Sequence, residues 1–213
     1  MLGSMMGSRR LVLAMMLVSA IPGGAADDNW WRTYGDVEFD EKQSFDGDSF
    51  HLKVKSGSRE FDWVIRLYGV DCPETDKRFP DRNSGQAEEF GIEPADVPAW
   101  GKKAARKTRD LMRGAREIRL HVRRESKEKV RKAAGQAQRY YGIIELIDRD
   151  GNSTFLHEEL LKEGLARAYG KDAPWPPKDL ERHGEEKTKE RLMRELKQLE
   201  RKAKRDGKGI WAR

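Results

Sequence analysis

A single cysteine, Cys72, stands in 213 residues, so no disulfide can form within the chain, whatever compartment it enters. The histidines, His51, His121, His157 and His183, lie far apart in sequence and propose no site. That leaves no His/Cys metal motif, and no His near Cys72 in sequence to suggest a thiol nucleophile. An apolar run long enough to span a bilayer is also missing. The longest apolar stretch, Leu11 to Ile21, is too short to cross comfortably, and a charged segment follows it. It follows Arg9-Arg10 and precedes Gly24-Ala25-Ala26, the order of a secretory signal with a small-residue cleavage site. Cleavage is expected near Ala26, giving a secreted or periplasmic protein, and with no cysteine at that site a lipid anchor is disfavoured. There is no internal repeat. Charge is what the chain has in quantity: 38% of residues are charged, with 43 Lys and Arg against 37 Asp and Glu. Removing residues 1–26 takes away two arginines and no acid, which leaves a formal excess of about four. That excess suits a polyanionic partner without specifying one.

The informative stretch is Phe61 to Glu74, FDWVIRLYGVDCPE, with the turn Asp46-Gly47-Asp48 upstream. Phe61, Trp63, Ile65 and Leu67 alternate with other residues and are aromatic or apolar, which is a strand pattern. Ser49 to Lys55 alternates as well, and Ser56-Gly57-Ser58 offers a hairpin turn between the two. Antiparallel pairing through that turn returns Asp71 to the neighbourhood of Asp48. Carboxylates brought together repel unless a cation or proton lies between them. Oxygen-only ligation points to a hard ion, Ca²⁺ or Mg²⁺. Arg66, a charge inside a half-buried strand, needs an anionic partner. A metal, a free Glu and a buried Arg on one rim together suit phosphodiester chemistry.

Asp46-Gly47-Asp48-Ser49 and Arg66-Leu67-Tyr68-Gly69-Val70-Asp71-Cys72-Pro73-Glu74 resemble, in order and spacing, the paired motifs of the staphylococcal nuclease (thermonuclease) family. Gly164-Leu165-Ala166-Arg167 and Gly209-Ile210-Trp211 are similar to later family features, so the resemblance runs, with gaps, from about Phe45 to Trp211. It implies a β-rich α+β fold, a five-stranded oligonucleotide-binding (OB) barrel with about three packed helices, over residues 45–213. By motif position it implies Ca²⁺ held by Asp48, Asp71 and the backbone carbonyl of Cys72. Glu74 then activates or positions water, and Arg66 clamps the phosphate. Arg139, Tyr140 and Tyr169 are the implied nucleic-acid contacts. The implied activity is an exported metal-dependent nuclease acting on DNA or RNA, monomeric and without membrane contact once mature. The alternatives are a catalytically weak nucleic-acid-binding barrel and a protein-interaction module. The family carries a second catalytic Arg in D-[RK]-Y-G-R. In Gln138-Arg139-Tyr140-Tyr141-Gly142, Gly142 falls in its place, so reduced activity is expected, unless Arg123, Arg124, Arg131 or Arg139 substitutes.

The other elements follow in order. Residues 27–44 read as a tail, with a first strand possible over Asp36 to Lys42. Residues 75–98, broken by Pro80, Gly85, Gly91, Pro94 and Pro98, read as an insertion beside the site with one helical turn near Gln86 to Phe90. Helices are expected over Ala99 to Arg113, Phe155 to Glu163 and Glu185 to Arg205, and strands over Glu117 to Arg123, Tyr140 to Ile147 and Leu165 to Tyr169. Almost nothing suggests parallel β-α-β pairing. Asp148 to Asn152 is a turn and not an EF-hand, because Ser153 stands where that loop requires Gly.

Overall fold

A computed structural model describes residues 31–44, 46–123, 139–170 and 189–212. The expected signal segment 1–26, the charged residues 125–138 and the Pro-rich stretch 173–178 lie outside the described residues. Alternation of apolar residues builds the first hairpin as the sequence predicts. β3 (Ser49–Ser56) pairs antiparallel with β4 (Arg59–Leu67), with Ser49 opposite Arg66 and Leu52 opposite Trp63. Phe50, Leu52, Val54, Ile65 and Leu67 all point inward and are buried. Full burial of each such side chain contributes roughly 1.5–3 kcal/mol.

The sheet differs from a closed five-stranded barrel. Its hydrogen-bonded order is β1-β6-β7-β4-β3-β2, with β8 (Ser153–Phe155) added on β7. β2 (Val37–Asp40) and β1 (Trp31–Tyr34) are the two ends of that order, and no ladder joins them among the described residues. β1 pairs with Leu120–Arg123 of β6 (Glu117–Arg123) and β2 pairs with β3, so the two ends of the order are consecutive segments joined through Gly35-Asp36 and not by a ladder. β1 itself falls in the stretch read as a tail. Its partner strand lies nearly ninety residues away (Thr33 opposite His121), a separation that local pattern cannot reveal. A second correction concerns strand direction. β7 (Arg139–Ile147) runs parallel to β4, with Arg66 opposite Tyr141 and Leu67 opposite Gly142.

Helices number four among the described residues: α1 (Pro80–Phe90), α2 (Val97–Gly114), α3 (Leu156–Lys162) and α4 (Lys189–Arg205). The insertion therefore holds a three-turn helix in place of one turn. Pro80 stands at its first position, where a missing N–H costs nothing, and Gly91 closes it in the left-handed conformation (φ 69°). The buried face of α1 is Asn83, Gln86, Ala87 and Phe90, half of it amide, which is why apolar periodicity underestimates it. α2 buries Ala104, Thr108 and Met112. Leu156, Leu160 and Leu161 of α3, with Leu192 and Leu196 of α4, complete the core against the sheet. Asp148 accepts from the backbone N–H groups of Asp150 (2.8 Å) and Asn152 (2.9 Å), an Asx-type turn as expected. No helix among the described residues is long and apolar enough to cross a membrane.

Candidate active site

The two acidic turns meet at one guanidinium. Arg66 leaves β4 on the face opposite Ile65 and Leu67; its Nη1 donates to Asp48 Oδ1 (2.6 Å) and its Nη2 to Asp71 Oδ1 (2.5 Å). The remaining Asp48 oxygen accepts from the backbone N–H of Cys72 at 2.5 Å, which ties the first turn to the second. α2 presses on both. Thr108 Oγ1 donates to the carbonyl of Gly47 at 2.7 Å, and Gly101 lies so close to the backbone of Pro73 and Glu74 that any Cβ there would collide with their carbonyls. Asp46 is held separately, by the hydroxyl of Thr75 at 2.6 Å.

Electrostatics follow from burial. The Asp48 carboxyl is pushed up to about 7, first by burial, against the pull of Arg66 and with help from the Asp71 charge. Burial works against the Arg66 charge too, but Asp48 and Asp71 outweigh it and the guanidinium holds its proton more firmly than usual. Glu74 is raised by burial, with Arg82 opposing. The Cys72 thiol is pushed up by burial and then by the neighbouring carboxylates, so it stays protonated and is no nucleophile. Even with Arg66 in contact, then, burial keeps the Asp48 carboxyl above its ordinary range.

Three further residues enter: Gln86 and Arg82, which no motif named, and Arg167, which ends the Gly164-Leu165-Ala166-Arg167 motif but had no role assigned. Gln86 of α1 is buried and bonds three functional positions at once. Its Oε1 accepts from Glu74 N–H (2.7 Å), and its Nε2 donates to the Cys72 carbonyl (2.9 Å) and to Asp71 Oδ2 (3.1 Å). Arg82, also on α1, pairs with Glu74 Oε1 at 2.5 Å. Arg167 of β9 (Arg167–Ala168) reaches Asp71 Oδ2 at 3.2 Å and Glu89 at 2.8 Å. Its place opposite Asp71 is set by the pairing of β9 with β5 (Val70–Asp71). A polar residue spaced to the buried face of a helix just after the DCPE turn was the one available signal for Gln86.

The comparison with known families decides what this arrangement belongs to. A family model described as staphylococcal nuclease homologue matches residues 64–213. The chain belongs to the staphylococcal nuclease family. Its matched region begins inside β4, so Asp48 lies upstream of the match and is brought to it by the β3–β4 register. No curated protein matches the chain. Family membership supports a nuclease-like or nucleic-acid-binding function, and nucleic acid as the partner.

Of the residues expected in this nuclease homologue's site, Asp48, Arg66, Asp71, Cys72 and Glu74 stand together. Tyr140 does not join them: its ring packs on Trp63 at 5.0 Å, on the opposite face of the sheet from Arg66. Tyr169 is exposed at the rim, with the Arg167 guanidinium 5.0 Å over its ring. The side chain of Arg139 lies outside the described residues, as do those of Arg123, Arg124 and Arg131. Gly142 is not a vacant arginine position. A Cβ there would lie 2.8 Å from Ile65 Cγ2 and 2.9 Å from Leu120 Cδ1, so it points into the core. The position beside Arg66 on β7 is Tyr141, which is exposed.

Asp48, Asp71 and the Cys72 carbonyl supply hard oxygens, the donor chemistry a divalent cation takes, and in this structure Arg66, Gln86 and Arg167 bond them. Among the described residues no group of three or more His, Cys, Asp or Glu is arranged to hold a metal. The remaining coordination would fall to water and phosphate oxygens.

Proposed function

We propose that this chain is an exported, divalent-cation-dependent nuclease that hydrolyses phosphodiester bonds of DNA or RNA. The observation that carries the reading is the convergence of the Asp46–Asp48 and Asp71–Glu74 turns on Arg66, with Glu74 beside them. Ca²⁺, or Mg²⁺, held by Asp48, Asp71 and the Cys72 carbonyl would polarise a phosphate oxygen. Arg66 neutralises charge on the phosphate. Glu74, raised by burial, takes a proton from water or holds that water in line with the phosphorus. Gln86 fixes the Cys72 carbonyl, Asp71 and the Glu74 backbone in one rigid loop. Tyr169, exposed at the rim, extends the surface that meets the nucleic acid. Tyr141 in the place beside Arg66 favours one second reading, a barrel that binds nucleic acid and cleaves slowly.

Degradation of plasmid DNA and of RNA by the chain with Ca²⁺, Mg²⁺ or chelator tests this directly. Glu74→Gln is expected to lose turnover and to keep DNA binding, because it removes a base and no phosphate contact. Wild type that binds DNA with ordinary salt dependence, yet cleaves no faster than Glu74→Gln with any metal, would establish the binding-only barrel instead.

A further inference from the structure

Among the described residues three guanidinium groups reach the carboxylates of the site, and they are not equivalent. Arg66 has both Nη atoms on Asp48 and Asp71 and is 16% exposed. Arg167 is 17% exposed, bonds Asp71 and Glu89, and lies against the rings of Phe90 and Tyr169. Arg82 is different. It stands in the first turn of α1, is 46% exposed, and has one ion-pair partner among the described residues, Glu74 Oε1. A guanidinium carries five N–H donors in a planar fork that matches phosphate oxygens. A bond to Glu74 therefore leaves most of Arg82's fork open to solvent beside the group expected to handle water.

Building on the nuclease reading, we propose that Arg82 is the second cationic catalytic residue, contacting the non-bridging oxygens of the scissile phosphodiester. β7 offers Tyr141 beside Arg66 and turns Gly142 into the core, so α1 supplies from the insertion what the strand does not. In the reaction, the oxygen of water bonds to phosphorus and its proton passes to Glu74. The bond from phosphorus to the leaving oxygen breaks, its electron pair stays on that oxygen, and solvent returns a proton. Negative charge grows on the phosphoryl oxygens throughout, and the open N–H groups of Arg82 neutralise it. The same residue fixes Glu74 through Oε1, which couples the orientation of the base to the position of the phosphate.

The test is cleavage of a single-stranded DNA oligonucleotide in Ca²⁺ by the full chain and by Arg82→Ala, Arg82→Lys and Arg78→Ala. Arg82→Ala should lower kcat by about 10²-fold, the usual cost of removing one transition-state donor, with KM little changed. Its melting temperature should fall only modestly, because Arg82 is half exposed although the Glu74 carboxylate it leaves is 9% exposed. Arg78 lies in the same segment, is 85% exposed and pairs with Asp76, so Arg78→Ala should cleave at the wild-type rate. If Arg82→Ala unfolds, Arg82→Lys decides. Loss of the fork lowers kcat if Arg82 meets phosphate, and an unchanged kcat overturns the inference. Wild-type kcat in Arg82→Ala, together with lost turnover in Glu74→Gln, overturns the role of Arg82 and leaves the nuclease reading standing. No metal-dependent cleavage by wild type overturns both.

Discussion

Replacing Gln86 by leucine, which has a similar volume, removes one buried amide that ties three parts of the site together. Its bonds to Glu74 N–H (2.7 Å) and the Cys72 carbonyl (2.9 Å) are between neutral groups, each worth about 0.5–1.5 kcal/mol. The bond to Asp71 Oδ2 (3.1 Å) involves a charge and contributes about 1.5–3 kcal/mol. The Glu74 N–H and the Cys72 carbonyl are then buried without this partner, while the new apolar side chain recovers roughly 1 kcal/mol. A net loss of about 2–4 kcal/mol is expected. In a domain of this size that lowers the melting temperature by roughly 5–15 °C. Thermal and urea unfolding followed by circular dichroism measure it, and kcat should fall with it because Asp71 and Glu74 lose their common brace. Gln86→Glu sharpens the case. The glutamate has no N–H to donate and sets a carboxylate against Asp71, so it should destabilise more at pH 8 than at pH 5, where it can take a proton. Wild-type melting and turnover in Gln86→Leu, or a pH-independent Gln86→Glu, would refute the bracing role.

Asp48 predicts a pH-dependent response to cation. Its folded pKa of about 7 lies above the ordinary 3.8, so the cation-free folded chain binds this proton more tightly than the unfolded chain does. Stability from this group is fully present below about pH 4 and is lost as pH rises to about 7, by at most about 4 kcal/mol. Ca²⁺ binds the ionised form, so it should raise the melting temperature strongly at pH 8 and weakly at pH 5; equal shifts at both would argue against Asp48 as a ligand. Gly142→Ala should overpack Ile65 and Leu120 and cost about 1–3 kcal/mol, whereas Tyr141→Arg should leave stability near wild type. A melting temperature lowered more by the change at 141 than by that at 142 would contradict the register described for β7.

The parts of the site that lie close in sequence were legible. Asp48, Arg66 and Asp71 belong to one hairpin and its exit, and alternation plus a turn fixes which residues face one another. What escaped is what arrives from afar or wears the wrong polarity. β1 pairs with a strand nearly ninety residues on, and β9 brings Arg167 to Asp71 across 96 positions. α1 hides its helical character because its inward face carries Asn83 and Gln86, whose amide N–H groups donate to the Asp76 and Cys72 carbonyls and to Asp71. Gly142 was misread for a related reason. Motif spacing counts residues, whereas the side of the sheet a residue occupies depends on strand register, and a shift of one residue exchanges core for solvent.

The span of chain between Gly47 and Arg167 also sets an order on biosynthesis. The acidic turns leave the ribosome early, but Asp71 gains its β9 partner only after more than ninety further residues have been made. The leucines of α4, later still, are needed to close the core over which β5 and β9 lie. A nascent or prematurely terminated chain thus holds the reactive groups without the frame that aligns them. For a protein proposed to cut nucleic acid, alignment of the site is then expected to wait for α4, so a chain ended before Lys189 should show no cleavage.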